Sequence, residues 1–337
     1  MDGLPSQIET GSFRLPLDPL FWGAPLIFRK KFKPLGATVC IASNSEKVLE
    51  AAEESFGFYG TVENSAAVDF TLNLCVDPLH RQKSPFPPAS FRALGHLFHI
   101  SCGNSSFAVA DLESGSAIGF VAAEIVQDRS FFRNTFLECL FYVLAVHFRF
   151  TPVHAAGVVF NQQGILIWGE PGAGKSTLAY ACARAGFQLV SDDVVHLEID
   201  PASNQLMGWG RPWQIRLLPD AKTLFPELGQ EEPRLRSDHQ WYLEIDLAKR
   251  MPESLLVSCR PSILLFLRRG PNAGSRIESL DSEQALNLMK KDIYLTEQSV
   301  LQRHYLTLQH LVHSKIYRLY YEGPPVEAVA LIKNLVL

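Results

Sequence analysis

The sequence predicts an α/β fold, a phosphate-loop domain preceded by a smaller α+β domain. Three observations lead there. Residues 169–177 read GEPGAGKST, a glycine-rich stretch. The apolar run Ile165, Leu166, Ile167, Trp168 precedes it and the helix-forming run Leu178, Ala179, Tyr180, Ala181 follows. A second strand-like run, Phe187 to Val190, comes one short helix later and ends in Ser191-Asp192-Asp193. Strand, glycine-rich loop and helix in that order make a phosphate loop, with Gly169, Gly174, Lys175 and Ser176 filling the template G-x-x-x-x-G-K-S/T.

The chemistry explains the spacing. Glycines let backbone N–H groups turn inward onto phosphate oxygens, and the helix that starts at the loop adds its positive dipole end. Gly169, Glu170, Pro171, Gly172, Ala173, Gly174, Lys175, Ser176 and Thr177 are therefore the expected nucleotide site. Within it Lys175 meets the β- and γ-phosphates and the Ser176 hydroxyl reaches Mg²⁺.

The 337 residues leave room for two domains or one large one, either able to bury a core. A hydrophobic content of 47%, a charged content of 20% and a mean hydropathy of +0.04 are those of a soluble globular protein. The net charge of −4 and a pI near 6.2 argue against a general nucleic-acid binder, which needs a basic face. Cys40, Cys75, Cys102, Cys139, Cys182 and Cys259 are scattered, with no C-x-x-C pair to signal zinc or a redox dithiol. Cys139 and Cys182 lie in apolar, helix-like stretches, where a thiol behaves as a small hydrophobe. A reducing, cytoplasmic setting is expected. Met1 to Thr10 carries Asp2 and Glu9 and no long apolar core, so no signal peptide is expected. The most apolar stretch, Phe131 to Phe150, is interrupted by Arg133, Glu138, His147 and Arg149. A membrane span needs about 20 mostly apolar residues, so this stretch reads as a buried helix.

Nothing repeats at solenoid or propeller periods, and proline-rich patches at Pro85 to Pro88 and Pro324-Pro325 mark breaks. Residues 1–128 form the expected amino-terminal α+β domain, with no role assigned. It has a helix around Glu46 to Ser55, a strand from Phe70 to Val76 and a hairpin over Phe107 to Val121 that turns at Ser114-Gly115. The cluster Arg29, Lys30, Lys31, Lys33 reads as a lysine-protected strand edge rather than a docking patch.

Residues 129–337 form the phosphate-loop catalytic domain. Val153 to Phe160 is apolar and β-branched, and Asn161-Gln-Gln-Gly164 supplies a turn before Ile165 resumes as strand. A hairpin with Phe160 opposite Ile165 sets Gly157 against Trp168 and His154 against Pro171, beside the loop. The following helix is expected from Ser176 to about Ala185, with Gly186 at its left-handed end. A strand–helix–strand unit in one sheet is normally parallel and right-handed. Both strands then end on the loop side, where open α/β sheets bind ligands.

Asp192 and Asp193 thereby arrive at the nucleotide. Phosphoryl transfer needs a carboxylate for Mg²⁺ and, for an alcohol acceptor, a base to take the hydroxyl proton. At a strand end the backbone can turn both side chains in, and the residues alone do not divide the two roles. A neutral His154 could accept a proton or orient an aspartate, and a protonated one could touch phosphate. Arg211 and Arg216, in the aromatic segment 209–216, are candidate phosphate or substrate contacts, as are Arg268 and Arg269 after the strand-like run Ser262 to Leu267. The planar guanidinium pairs with phosphate oxygens.

From Val153 to Val195 the run VHAAGVVF…GILIWGEPGAGKSTLAYACARAGFQLVSDDVV resembles the catalytic domain of bacterial HPr kinase/phosphorylase. More closely, it is similar to the wider set of HPr-kinase-related proteins that includes lasso-peptide precursor kinases. The shared elements are the histidine just before the first strand, the phosphate loop, and an Asp-Asp pair one short helix later. The resemblance covers roughly 43 residues. It implies a sheet like that of phosphoenolpyruvate carboxykinase, with Asp192 as general base, Asp193 helping to hold the metal and His154 assisting. It also implies a homo-oligomer, whose contacts the residues do not assign. Two departures stand out. Thr177 follows Ser176 where HPr kinases carry an acidic residue, and Pro271-Asn-Ala-Gly274 stands in place of their glycine-arginine-asparagine loop. These departures weigh against HPr as substrate and against the reverse, phosphorylase reaction, and the residues leave the acceptor open.

The resulting expectation is ATP- and Mg²⁺-dependent transfer of the γ-phosphoryl group to a hydroxyl, serine foremost, of a protein or peptide. Two alternatives stay open. One is a kinase of a free amino acid or metabolite. The other is a nucleotide-gated regulatory or binding module with little turnover, against which Asp192-Asp193 weighs because a binder needs no base.

Overall fold

The computed structural model describes residues 25–60, 62–63, 65–77, 84–235, 240–270, 274–293 and 297–336. The expectation at Met1 to Thr10, and the first three residues of Pro271-Asn-Ala-Gly274, lie outside them. The chain is mixed α/β with several sheets, and it divides into two compact units. One comprises the chain up to Phe32 with Thr38–Gly57 and Val62–Phe141; the other comprises Lys33–Ala37, Phe58–Thr61 and Tyr142–Leu337.

In the first unit β1 (Phe28–Phe32) pairs antiparallel with β2 (Val39–Ser43), and α1 (Glu46–Phe56) leads to β3 (Phe70–Asp77), parallel to β2. A meander follows: β4 (Ser90–Leu94), β5 (Leu97–Cys102), β6 (Ser106–Asp111) and β7 (Ser116–Ala122). Its last strand lies parallel against β3, giving the order β1-β2-β3-β7-β6-β5-β4. All of β2 is buried, as a continuous apolar run should be when both faces of a sheet are covered. The hairpin expected over 107–121 forms, pairing Phe107 with Phe120 and Val109 with Ile118. Among the described residues β1 is an edge, with Arg29 and Lys30 exposed and Lys30 paired to Glu53. That is the lysine-protected edge expected of this cluster.

The apolar stretch after β7 is helical, as α2 (Ala123–Gln127), α3 (Arg129–Phe132), a π turn over Arg133–Leu137, and α4 (Glu138–Phe148). Phe132, Phe136, Leu140 and Phe141 are fully buried, and buried Glu138 is answered by Arg133 at 3.4 Å and the Ser55 hydroxyl at 2.8 Å. Among the described residues no helix is long and apolar enough to cross a membrane.

The second unit continues with β8 (Thr151–Val153), β9 (Ala155–Phe160), β10 (Gln163–Trp168), α5 (Lys175–Arg184), β11 (Gln188–Ser191), β12 (Val195–Ile199) and β13 (Leu206–Trp209). Next come β14 (Gln214–Leu217), α6 (Ala221–Leu224), β15 (Arg234–Leu235), β16 (Trp241–Asp246), α7 (Leu247–Arg250), β17 (Ser258–Cys259) and β18 (Pro261–Arg269). The unit ends with β19 (Arg276–Ser279), α8 (Ser282–Met289), α9 (Gln298–Leu311), β20 (Lys315–Tyr321) and α10 (Pro325–Val336). Three sheets result, in the orders β11-β9-β10-β18-β20-β19, β17-β13-β12-β8 and β14-β16-β15. The central strands alternate between two cores. Ile165, Ile167, Ile263 and Leu265 face α5 and α10, while Leu166, Trp168, Leu264 and Phe266 face α8 and α9. A sheet covered on both sides needs apolar residues at every position, and GILIW and SILLFL supply them.

Two details of the expected strand–helix–strand unit are corrected. β10 and β11 do run in the same direction, but β9 lies between them, antiparallel to both. The β9–β10 hairpin already fills the edge beside β10, so the crossover through α5 must place β11 beyond it. The hairpin is also tighter than expected, pairing Phe160 with Gln163 and Ala155 with Trp168. Asn161 at φ 48° and Gln162 at φ 64° make a two-residue turn, the kind whose twist matches that of the flanking strands. The slip is two residues, so every side chain keeps its face, and His154 comes level with Gly169 rather than Pro171.

Candidate functional site

Two chain segments leave the six-stranded sheet at the same place. β11 and β9 pair as far as Ser191 and Gly157, and β12 and β8 resume pairing at Val195 and Val153. Between those pairs lie His154 on one segment and Asp192, Asp193 and Val194 on the other, so the interruption sets them side by side. Freed from the pleat, the two aspartates turn to different partners. His154 Nδ1 lies 3.1 Å from Asp193 Oδ1, and Asp193 is largely exposed. The Ser191 hydroxyl closes the turn by donating to the Val194 carbonyl at 2.8 Å.

The loop after β10 reaches the same place. Gly174 precedes α5 at φ +93°, and a Cβ there would stand 3.0 Å from the Tyr321 hydroxyl as well as in strained backbone. Ala173 N–H closes the loop onto the Glu170 carbonyl at 3.0 Å, and Glu170, Pro171 and Gly172 are exposed. Lys175 is buried at 6% exposure, and its Nζ donates to the Gly169 carbonyl at 2.6 Å. An ammonium is too costly to bury without acceptors, and the loop supplies one from its own backbone. The Ser176 hydroxyl donates to the Asp192 carbonyl at 3.3 Å, which joins the start of α5 to the end of β11.

Asp192 is the half-buried member of the pair. Its Oδ2 accepts the backbone N–H of Arg216 at 2.9 Å. Burial pushes its carboxyl up to about 6, opposed by that N–H and reinforced by the charge of Asp193. The approach depends on Gly210, where a Cβ would overlap the Val190 carbonyl; the segment carrying Arg211 and Arg216 thus lies against the end of β11. The arginine side chains go elsewhere. Arg216 lies over the Tyr242 ring at 5.4 Å and 3.6 Å from Glu244, and Arg211 lies over Trp213 at 5.8 Å. Arg268 and Arg269 stand exposed at the loop end of β18, where Phe266 pairs with Trp168.

The structure therefore brings together the loop, Ser176, Asp192, Asp193, His154 and the backbone of Arg216, and it carries the Arg211 side chain to Trp213. Sequence reasoning missed Tyr321. This side chain is fully buried, and its hydroxyl has no hydrogen-bond partner among the described residues. Burial raises its pKa, and Arg269, 5.5 Å from its ring, opposes the rise. A repeated aromatic in KIYRLYY marks a half-buried strand, and nothing in the sequence ties that strand to the loop.

Among the described residues no group of three or more His, Cys, Asp or Glu could hold a metal by itself. The donors open to a hard cation here are the Ser176 hydroxyl and the Asp193 carboxylate, and Mg²⁺ usually takes one or two such groups together with phosphate oxygens. Two open grooves lie away from the loop. One, of about 530 Å³, is lined by Lys290, Leu301 and Tyr305; the other, of about 460 Å³, by Arg260, His313 and Lys315. Neither contains a residue of the loop or of the Asp192 turn.

No family model matches the chain, and no curated protein matches it. Among solved structures it is similar to the HPr(Ser) kinase/phosphatase from Coxiella burnetii, at 20% sequence identity and a TM-score of 0.30. That similarity spans 55% of this chain and 90% of the other. It is a distant structural relationship.

Proposed function

We propose that the protein is a kinase of the phosphate-loop type, transferring the γ-phosphoryl group of ATP, with Mg²⁺, to a hydroxyl of a protein or peptide, serine foremost. The observation that supports this is the meeting of loop and base. Ser176, at the start of α5, bonds the backbone of Asp192, whose carboxylate is half-buried and held by the Arg216 N–H. A pure nucleotide binder has no use for that carboxylate.

The residues fit a triphosphate. Gly172 and Gly174 have left-handed backbone, and the helix end beyond them favours negative charge. Lys175 exchanges the Gly169 carbonyl for phosphate oxygens. Ser176 and Asp193 would hold Mg²⁺, which when bound would supply positive charge against the phosphates. His154 keeps the Asp193 carboxylate aimed. The acceptor oxygen bonds to the γ-phosphorus as the bond from that phosphorus to the β–γ bridging oxygen breaks. ADP leaves, and the hydroxyl proton passes to Asp192. On this reading residues 129–337 are the catalytic domain, residues 1–128 carry no assigned role, and the six free cysteines accord with a reducing cytoplasm.

The test is Asp192→Asn, assayed with γ-labelled ATP against serine peptides and free serine, with mass spectrometry of the product. A neutral amide cannot take the proton. The variant should keep its affinity for MgATP and lose transfer by about 10²–10⁴-fold, the usual worth of a positioned general base. Transfer at the wild-type rate removes Asp192 from that role.

A further inference from the structure

The acceptor's docking surface can be read from the edge of β14, on the premise that the transfer reading above holds. β14 is an outer strand of its three-stranded sheet, pairing Ile215 with Ile245 and Arg216 with Glu244. In an antiparallel ladder, successive residues send their N–H and C=O to opposite sides. Two bonds decide which side is which. The Trp213 carbonyl accepts from Leu247 N–H at 2.9 Å, toward β16. The Arg216 N–H points away from β16, to Asp192 Oδ2. Trp213, Ile215 and Leu217 therefore use their backbone groups within the sheet, and Gln214 and Arg216 turn theirs outward. The Asp192 carboxylate occupies the place a neighbouring strand's carbonyl would take. Gln214 is half-buried, and among the described residues its backbone has no partner beyond that edge.

We propose that the acceptor is a peptide segment bound in extended form along this edge, adding a strand to the small sheet. Its backbone exchanges two hydrogen bonds with Gln214. At Arg216 the ladder is already filled by Asp192, so the segment leaves the edge there and its hydroxyl-bearing residue arrives at that carboxylate. A free metabolite would make no use of a strand edge. The outer face adds charge selectivity. Glu244 holds Arg234 at 2.6 Å and Arg216 only at 3.6 Å. Arg216, with its side chain 47% exposed, is complementary to an acidic residue near the acceptor hydroxyl. Leu218, 54% exposed just past the strand, offers an apolar contact.

The experiment uses the full chain, MgATP labelled in the γ-phosphate, and an array of capped heptapeptides with a central serine and randomised flanks. The best peptide is then N-methylated one amide at a time. Methylation of the amide that pairs with Gln214 should raise KM at least tenfold with a smaller change in kcat, and Asp or Glu should be enriched beside the serine. Gln214→Pro removes the outward N–H without taking a bond from β16 and should raise the same KM at least tenfold. The methylation series stands on the intact protein should that variant not fold. Phosphorylation insensitive to backbone methylation overturns the edge and leaves the transfer reading in place, as does phosphorylation of free serine by a protein that ignores every peptide. No transfer to either class overturns both. A dimer in light scattering that dissociates in Gln214→Pro gives the edge to a second copy and overturns the peptide.

Discussion

Both units of the chain contain the same passage, a strand, a turn, and a helix that returns the chain to a strand of the same direction. In the first unit β2 gives way to α1 over only Asn44 and Ser45. The Asn44 side chain donates to the Val76 carbonyl at 2.9 Å and accepts the Val76 N–H at 2.8 Å, and the Ser43 hydroxyl donates to the Leu74 carbonyl at 2.6 Å. These groups close on the end of β3. In the second unit the six residues from Gly169 to Gly174 separate β10 from α5, two glycines are left-handed, and a buried lysine folds back onto the loop's own carbonyl. Topology brings both turns to the carboxyl ends of parallel strands. The length and glycine content of the connection then decide whether the turn satisfies itself or forms a cradle for an anion.

Closing the second turn should have the largest effect. Gly174→Val puts a β-branched side chain into left-handed backbone and against Tyr321. Affinity for MgATP should fall by about 10- to 100-fold, since backbone strain of this kind costs about 1–3 kcal/mol before any clash is counted. Calorimetric titration checks it, and an unchanged affinity would mean that the loop is not the cradle.

Acid should separate the units next. His196 is stacked on Tyr142, His304 lies 2.9 Å from the Thr151 hydroxyl, and burial lowers both to about 4. In the unfolded chain each titrates near 6.5, so there the unfolded state binds more protons. Their contribution is whole above about pH 6.5 and is lost as pH falls toward 4, by at most about 3 kcal/mol each. Amide protection at pH 7, 5.5 and 4.5, each referred to the intrinsic exchange rate at that pH, should fall in β8, β12 and α9 before it falls in β2 and β3. The reverse order would contradict the assignment.

Opening the first turn should cost stability alone. Asn44→Ala leaves the Val76 N–H and carbonyl without their partner and should destabilise the protein by about 1–3 kcal/mol, with MgATP affinity unaltered. Denaturant unfolding and the same titration measure the two quantities. A drop in affinity would blur the contrast between the turns.

Much of this contrast is legible in residues 153–195. The loop motif, the short helix and the Asp-Asp strand end follow from spacing, because each depends on neighbours in the chain. Asn161-Gln162 hid the tight turn, since glutamine is an unusual occupant of left-handed backbone and the Asn-Gly signal is missing. Tyr321 beneath Gly174, and Gly210 against Val190, are contacts between distant parts of the chain that no local pattern encodes. The sequence singles out the guanidinium of Arg216, yet its backbone N–H is what reaches Asp192. The order of the first sheet, with β7 parallel to β3, likewise rests on long-range pairing.

The most direct measurement is an equilibrium titration of MgATP into the wild-type protein and into Lys175→Ala. The wild type should bind saturably and gain about 2.7 kcal/mol of unfolding free energy at a hundred times Kd, and the variant should show neither. Equal binding by both proteins, or none by either, contradicts the cradle.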